Sequence, residues 1–133
     1  MNEELNDLID YRIARAKETL EEAKVLADSG HWNACVNRLF YACFYAVSAL
    51  LSKHNVSSSK HSGIRSFFNQ HLVKPGIISK ESALIYNLLF ERRQEGDYEV
   101  FVTFNENDVK PWLKETELFV NSVIALIEQT PVK

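Results

Sequence analysis

Apolar residues recur at three- and four-residue intervals along most of the chain, the period of helices packed on one side. From Glu3 to Ala27 the positions Leu5, Leu8, Ile9, Ile13, Ala16, Leu20, Ala23 and Ala27 share one helical face. Acids crowd the first turns, which suits the helix dipole, and Asp28-Ser29-Gly30 supplies a stop. The next segment, about His31 to His54, is apolar almost all round, as the central helix of a bundle is. One edge carries the small residues Cys35, Ala42, Ala46 and Ala49 with Leu39 among them, which lets another helix approach closely. A second edge reads Arg38, Tyr41, Tyr45, Ser48, a polar stripe on a greasy rod.

Ser57-Ser58-Ser59 predicts a turn and cap opening a short third helix, about Lys60 to His71, which Lys74-Pro75-Gly76 ends. A fourth helix follows Ser79, with Leu84, Ile85, Leu88 and Leu89 as its apolar face and Gly96 as its left-handed terminator. Tyr98, Val100, Val102 and Phe104 alternate, so Tyr98 to Phe104 is expected extended, as a packed loop rather than a strand. Asn105 to Asp108 caps a last helix to about Gln129, with Pro111 near its start and Trp112, Leu113, Phe119, Val120, Val123, Ile124 and Ile127 inward. The fold class that follows is all-α: an up-and-down bundle of four main helices plus a short one, as a single domain over residues 1–133.

Composition agrees. Four Gly and three Pro leave little room for the turns of an all-β fold, and 46% hydrophobic residues allow a real core. The apolar runs are interrupted by Arg, Asn or Ser and the start of the chain is acidic, so a soluble, cytosolic protein with no membrane segment is expected. Cys35 and Cys43 lie eight residues apart on one helix, about 12 Å along its axis, too far for a disulfide. They are expected to be buried filler.

The net charge of −3 hides an asymmetry, because no Asp or Glu occurs between Ser29 and Lys80. That stretch holds Arg38, Lys53, Lys60, Arg65, Lys74, Lys80 and all four histidines, His31, His54, His61 and His71. Either this basic segment meets phosphate, or acids from flanking helices neutralise it within the fold. Glycine-rich phosphate loops, HExxH, CxxC pairs and GxSxG are all missing, so neither a metal nor a cofactor is expected. What remains is His, Arg and Tyr. Metal-free RNA cleavage needs a base for the 2′-hydroxyl and a cation for the phosphate, which His and Arg supply near neutral pH. Arg65 and His71 are six apart, and Lys60, His61 and Arg65 share the short helix. Arg38, within a nearly all-apolar helix, must reach a carboxylate or line a wet cleft. The knot Glu91-Arg92-Arg93-Gln94-Glu95-Gly96-Asp97-Tyr98 offers Asp97 as that carboxylate.

The stretch Asn37-Arg38-Leu39-Phe40-Tyr41-Ala42, then Ser59-Lys60-His61-Ser62-Gly63, then Phe68 and His71, then Arg93-Gln94-Glu95-Gly96-Asp97-Tyr98, resembles the HEPN superfamily (higher eukaryotes and prokaryotes nucleotide-binding). Within it the chain is most similar to small stand-alone prokaryotic members. The resemblance implies a four- or five-helix bundle, a homodimer, and a minimal nucleotidyltransferase encoded nearby, in pairs where the HEPN member is typically a ribonuclease toxin. Toxin members carry an Arg, four to six residues, then His. In that slot this chain has Arg92 or Arg93 followed by Asp97-Tyr98, and an aspartate takes no proton at neutral pH unless its pKa rises strongly. Tyr98 also stands where some such toxins are silenced by nucleotidylation. The expectation is therefore a nucleotide- or RNA-binding cleft formed by Arg38, Tyr41, Arg93, Asp97 and Tyr98, with Lys60, His61 and Arg65 adding affinity. The alternatives are a metal-independent endoribonuclease toxin, with Arg93, Asp97, His71 and Arg65 as candidate catalytic residues, and a non-catalytic helical interaction module.

Overall fold

The computed structural model describes residues 3–56, 60–98 and 102–129, with the backbone alone for residues 94–98. Five helices follow one another: α1 (Glu3–Asp28), α2 (Trp32–Lys53), α3 (His61–Phe68), α4 (Lys80–Tyr98) and α5 (Glu106–Gln129). The described residues contain no strand, so the fold is the expected all-α bundle.

Glycines at two turns do what the sequence asks of them. Gly30 ends α1 at φ +77° and Gly76 closes the turn before α4 at φ +89°, both in the left-handed region that L side chains avoid. Two side chains cap helices, that of Asn105 as expected. Ser79 Oγ accepts the Ser82 amide at 3.1 Å, and Asn105 Oδ1 accepts that of Asp108 at 3.0 Å.

α2 is the axis of the molecule. Its small residues Cys35, Ala42, Ala46 and Ala49 are fully buried, as are Ala16 and Ala23 of α1. The two helices run antiparallel and close enough for Cys35 Sγ to donate to the Ala23 carbonyl at 3.3 Å. Both cysteines are free and buried, and burial pushes the Cys35 thiol up to about 11. Contrary to the sequence expectation, α2 is long and apolar enough to cross a bilayer, with a mean hydropathy of 1.5 over its best window. In the fold, 67% of that window is buried among the other helices, as in the core helix of a bundle.

Three expectations are corrected. The third helix changes pitch: α3 ends at Phe68 and Asn69–Val73 continue it as one π turn, which keeps Leu72 buried. There Asn69 and Asn87 exchange two side-chain hydrogen bonds, at 3.0 and 3.1 Å, tying the turn to α4. Gly96 does not terminate α4, which runs on to Tyr98. Leu84 does not face the core either: it is 66% exposed, and Ala83, Tyr86 and Phe90 join Ile85 and Leu89 inside. The expected cap Ser57-Ser58-Ser59 lies outside the described residues; α3 starts from Lys60 without a side-chain cap.

Of the stretch expected to be extended, Tyr98 lies in α4, residues 99–101 are outside the described residues, and residues 102–105 form a loop into α5 held by one side chain. Asn33 Oδ1 accepts the Phe104 amide at 2.8 Å and Asn33 Nδ2 donates to the Val102 carbonyl at 3.0 Å, so an amide side chain imitates a neighbouring strand.

Phe68 is fully buried between Tyr86 and Phe119, with ring centroids 5.1 and 5.9 Å away. Phe68→Ala should therefore cost about 3–5 kcal/mol in chemical denaturation, while Leu84→Ala should change stability by less than about 0.5 kcal/mol. Equal losses would contradict this packing.

A cationic and aromatic cleft beside the central helix

One face of α2 is left half-open by its neighbours, and it carries Tyr41, Phe44 and Tyr45. The rings form a ladder because residues three to four apart stack along a helix: Phe40 meets Phe44 at 6.1 Å and Tyr41 meets Tyr45 at 6.2 Å. α3 enters this ladder through His61. Its imidazole centroid lies 4.5 Å from Phe44, 5.4 Å from Tyr41 and 5.6 Å from Phe40. α4 enters through Arg93, whose guanidinium carbon sits 4.7 Å from the Phe40 centroid and 5.9 Å from that of Tyr41. Arg38 approaches Tyr41 at 5.0 Å. Tyr41 thus has two arginines and a histidine around one ring.

The electrostatics set the state of the histidine. Burial, and then the positive charge of Arg93, hold His61 below its ordinary value, so it is neutral at pH 7. A neutral imidazole beside a guanidinium can accept a proton while the guanidinium holds an anion.

The stripe Arg38, Tyr41, Tyr45, Ser48 is bordered by α1 as well as by α3 and α4, and that border was not legible in the sequence. Arg38 is not a deeply buried charge. Its guanidinium lies 3.5 Å from Glu22 of α1 and donates to Asn37 Oδ1 at 2.8 and 3.1 Å, with the side chain 29% exposed. The Asp97 and Tyr98 side chains lie outside the described residues; the backbone puts both in the last turn of α4. Further along, Arg15 covers Tyr45 at 5.2 Å, and Arg12 donates to Ser52 Oγ at 2.7 Å.

Arg93 is deeply buried, only 6% exposed. Two aromatic faces compensate part of that desolvation through cation–π attraction. Arg65 does not join the cleft: it bonds Glu91 at 2.9 Å and lies 4.1 Å over Phe90. His71 is exposed and stacks on Phe67 at 5.6 Å, a contact that puts it with no arginine. Lys60 is exposed at the start of α3. At Arg38 and Arg65, flanking helices therefore supply acids to the basic segment. Phe40, Phe44 and Glu22 are the site residues that sequence reasoning missed, although the doubled aromatic pairs at 40/44 and 41/45 were a readable signal.

The class so defined is a five-helix bundle that gathers cations and aromatics beside its central helix. The chain belongs to the HEPN family: the HEPN domain matches residues 9–127, almost all of the bundle. It is 44% identical over 128 residues to a UPF0332 protein of Thermotoga maritima, covering 96% of each chain. A protein of Methanocaldococcus jannaschii, named "Putative toxin MJ0142", is 28% identical over 113 residues, 85% of this chain and 77% of the other. A UPF0332 protein of Archaeoglobus fulgidus is 25% identical over 114 residues, 86% of this chain and 90% of the other.

Two consequences can be measured. Arg93→Ala should destabilise by about 2 kcal/mol or more, because it empties a buried site, whereas Arg38→Ala should cost less than about 1 kcal/mol, its ion pair being partly solvated. Urea titration of both variants ranks them, and the reverse order would contradict the burial of Arg93. His61, depressed in the folded state, binds its proton more readily when unfolded. Its contribution is complete above its unfolded value of about 6.5 and is lost as pH falls through the folded value. Melting curves between pH 7.5 and pH 5, about that unfolded value, should show a loss of stability that shrinks in His61→Gln.

Proposed function

We propose that this HEPN protein binds single-stranded RNA or a nucleotide in the cleft around Tyr41, as one component of a two-gene, toxin–antitoxin-like system. The observation that carries the reading is the ring of Tyr41 with Arg38 at 5.0 Å, Arg93 at 5.9 Å and the His61 ring at 5.4 Å. Aromatic faces stack bases without regard to sequence, and guanidinium groups hold phosphates by their planar fork. Similarity to a protein named as a toxin supports the system-level part. The second component is a minimal nucleotidyltransferase encoded nearby, and the expected silencing site on this chain is Tyr98. The protein works as a two-fold homodimer that places the two Arg93-to-Tyr98 segments near one another.

A second reading has its own support. Metal-independent RNA cleavage needs a neutral base next to a cation, and the base beside Arg93 is His61 rather than His71. In that reading His61 takes the 2′-hydroxyl proton and Arg93 holds the phosphate.

The binding test uses a fluorescent single-stranded RNA titrated at several salt concentrations. Affinity should fall as salt rises, and Arg38→Ala should reduce the slope of log K against log salt by about one. Tyr41→Leu should weaken binding by about 1–3 kcal/mol of lost stacking. Salt-independent affinity, or wild-type binding by both variants, would remove the RNA reading. Cleavage is tested separately: activity lost in His61→Ala but kept in His71→Ala supports the second reading. Sedimentation showing only monomer at tens of micromolar, an ordinary interface affinity range of roughly that order, would exclude the dimer.

A further inference from the structure

Away from the Tyr41 cleft, α4 and α5 diverge enough to leave an open groove between them. A cavity of about 450 Å³ is lined by Leu84 and Ile85 of α4 and Leu118 and Phe119 of α5. A second, of about 310 Å³, continues it past Ser82 and Ser122, which line both, to Ile77 and Gln129. Along α5 the pair spans Glu115 to Gln129, roughly 21 Å at the helical rise. Large apolar side chains stand in the open along it: Leu84 is 66% exposed, Leu118 63% and Ile77 53%. A run of this kind is unusual on a small domain unless something covers it.

Charge says what covers it. Glu81 and Glu115 are the charged residues lining the two cavities, and neither has a salt bridge among the described residues. Three other carboxylates of α4 and α5 are paired within the fold, Glu91 with Arg65, Glu106 with Lys110 and Glu117 with Lys24, while Asp108 and Glu128, which do not line the groove, have no salt bridge among the described residues. A second copy of this chain laid groove to groove would set these carboxylates against their own kind, which disfavours self-association here. A groove about four helical turns long, with leucines along it and unpaired acids on its border, matches an amphipathic helix.

We propose that the α4–α5 groove receives an amphipathic helix of a partner protein, with leucine-like anchors on one face and Lys or Arg beside them. The helix inserts its anchors between Leu84 and Leu118, and its cations meet Glu81 and Glu115. This surface is separate from the Tyr41 cleft, so it stands whether or not the chain binds RNA.

The test titrates the full-length protein with a synthetic helical peptide of about four turns, bearing leucines on one face and lysines bordering them. A control peptide carries glutamates in place of the lysines. The lysine peptide should bind and shift the methyl NMR signals of Leu84 and Leu118, with the glutamate peptide about tenfold weaker or more. Leu84→Asp with Leu118→Asp, both at exposed positions, should abolish binding while leaving the helical circular dichroism intact. Glu81→Lys with Glu115→Lys should reverse the preference between the peptides. Equal binding of the two peptides, unchanged binding by the leucine variant, or no reversal would each overturn the proposal. So would a wild-type dimer in sedimentation that the leucine variant converts to monomer, because the groove would then belong to a second copy.

Discussion

The ring of Phe40 is fully buried and is met from two neighbouring helices at once. His61 of α3 reaches it at 5.6 Å, while Tyr86, Phe90 and Arg93 of α4 lie 6.2, 6.0 and 4.7 Å away. These contacts fix how α3 and α4 sit on α2, and therefore where His61 and Arg93 stand relative to Tyr41. The candidate site is a by-product of core packing in this sense: its cations are held by the same aromatic surface that closes the bundle. A charged group carried on buried rings loses little further freedom when an anion arrives, which is the condition for a preorganised site.

α2 can serve both purposes because its circumference is divided. The alanine and cysteine edge admits α1 so closely that a thiol reaches a backbone carbonyl. The aromatic edge is too bulky for such an approach and keeps its neighbours apart. Side-chain size alone thus separates a sealed interface from a cleft on the same helix. The guanidinium groups of Arg12, Arg15 and Arg38 then settle along the seam, on Ser52, Tyr45 and Glu22.

Much of this was readable in the sequence. The helices, the stops at Gly30 and Gly76 and the cap at Asn105 are local matters, decided by neighbours a few residues away. The exposure of Leu84 was not readable, because helical spacing gives a face but not which neighbour is present to cover it. Glu22 beside Arg38 was missed for a similar reason. It lies sixteen residues upstream on an antiparallel helix, where only the register of α1 against α2 could indicate it. His61 beside Arg93 is likewise a contact between helices; the linear spacing of Arg65 and His71 pointed instead to a pair that faces different neighbours.

The apolar character of α2 has a consequence for how the chain is made. During synthesis this helix emerges before α3, α4 and α5 exist, with a hydropathy that a bilayer would accept. α1 is the partner already at hand, and the alanine seam lets it clamp onto α2 as a local hairpin with short loop closure. The aromatic side still awaits Phe68, Tyr86 and Phe119, so the nascent hairpin exposes it until the later helices arrive. Slowing translation between α2 and α3 would lengthen that exposure.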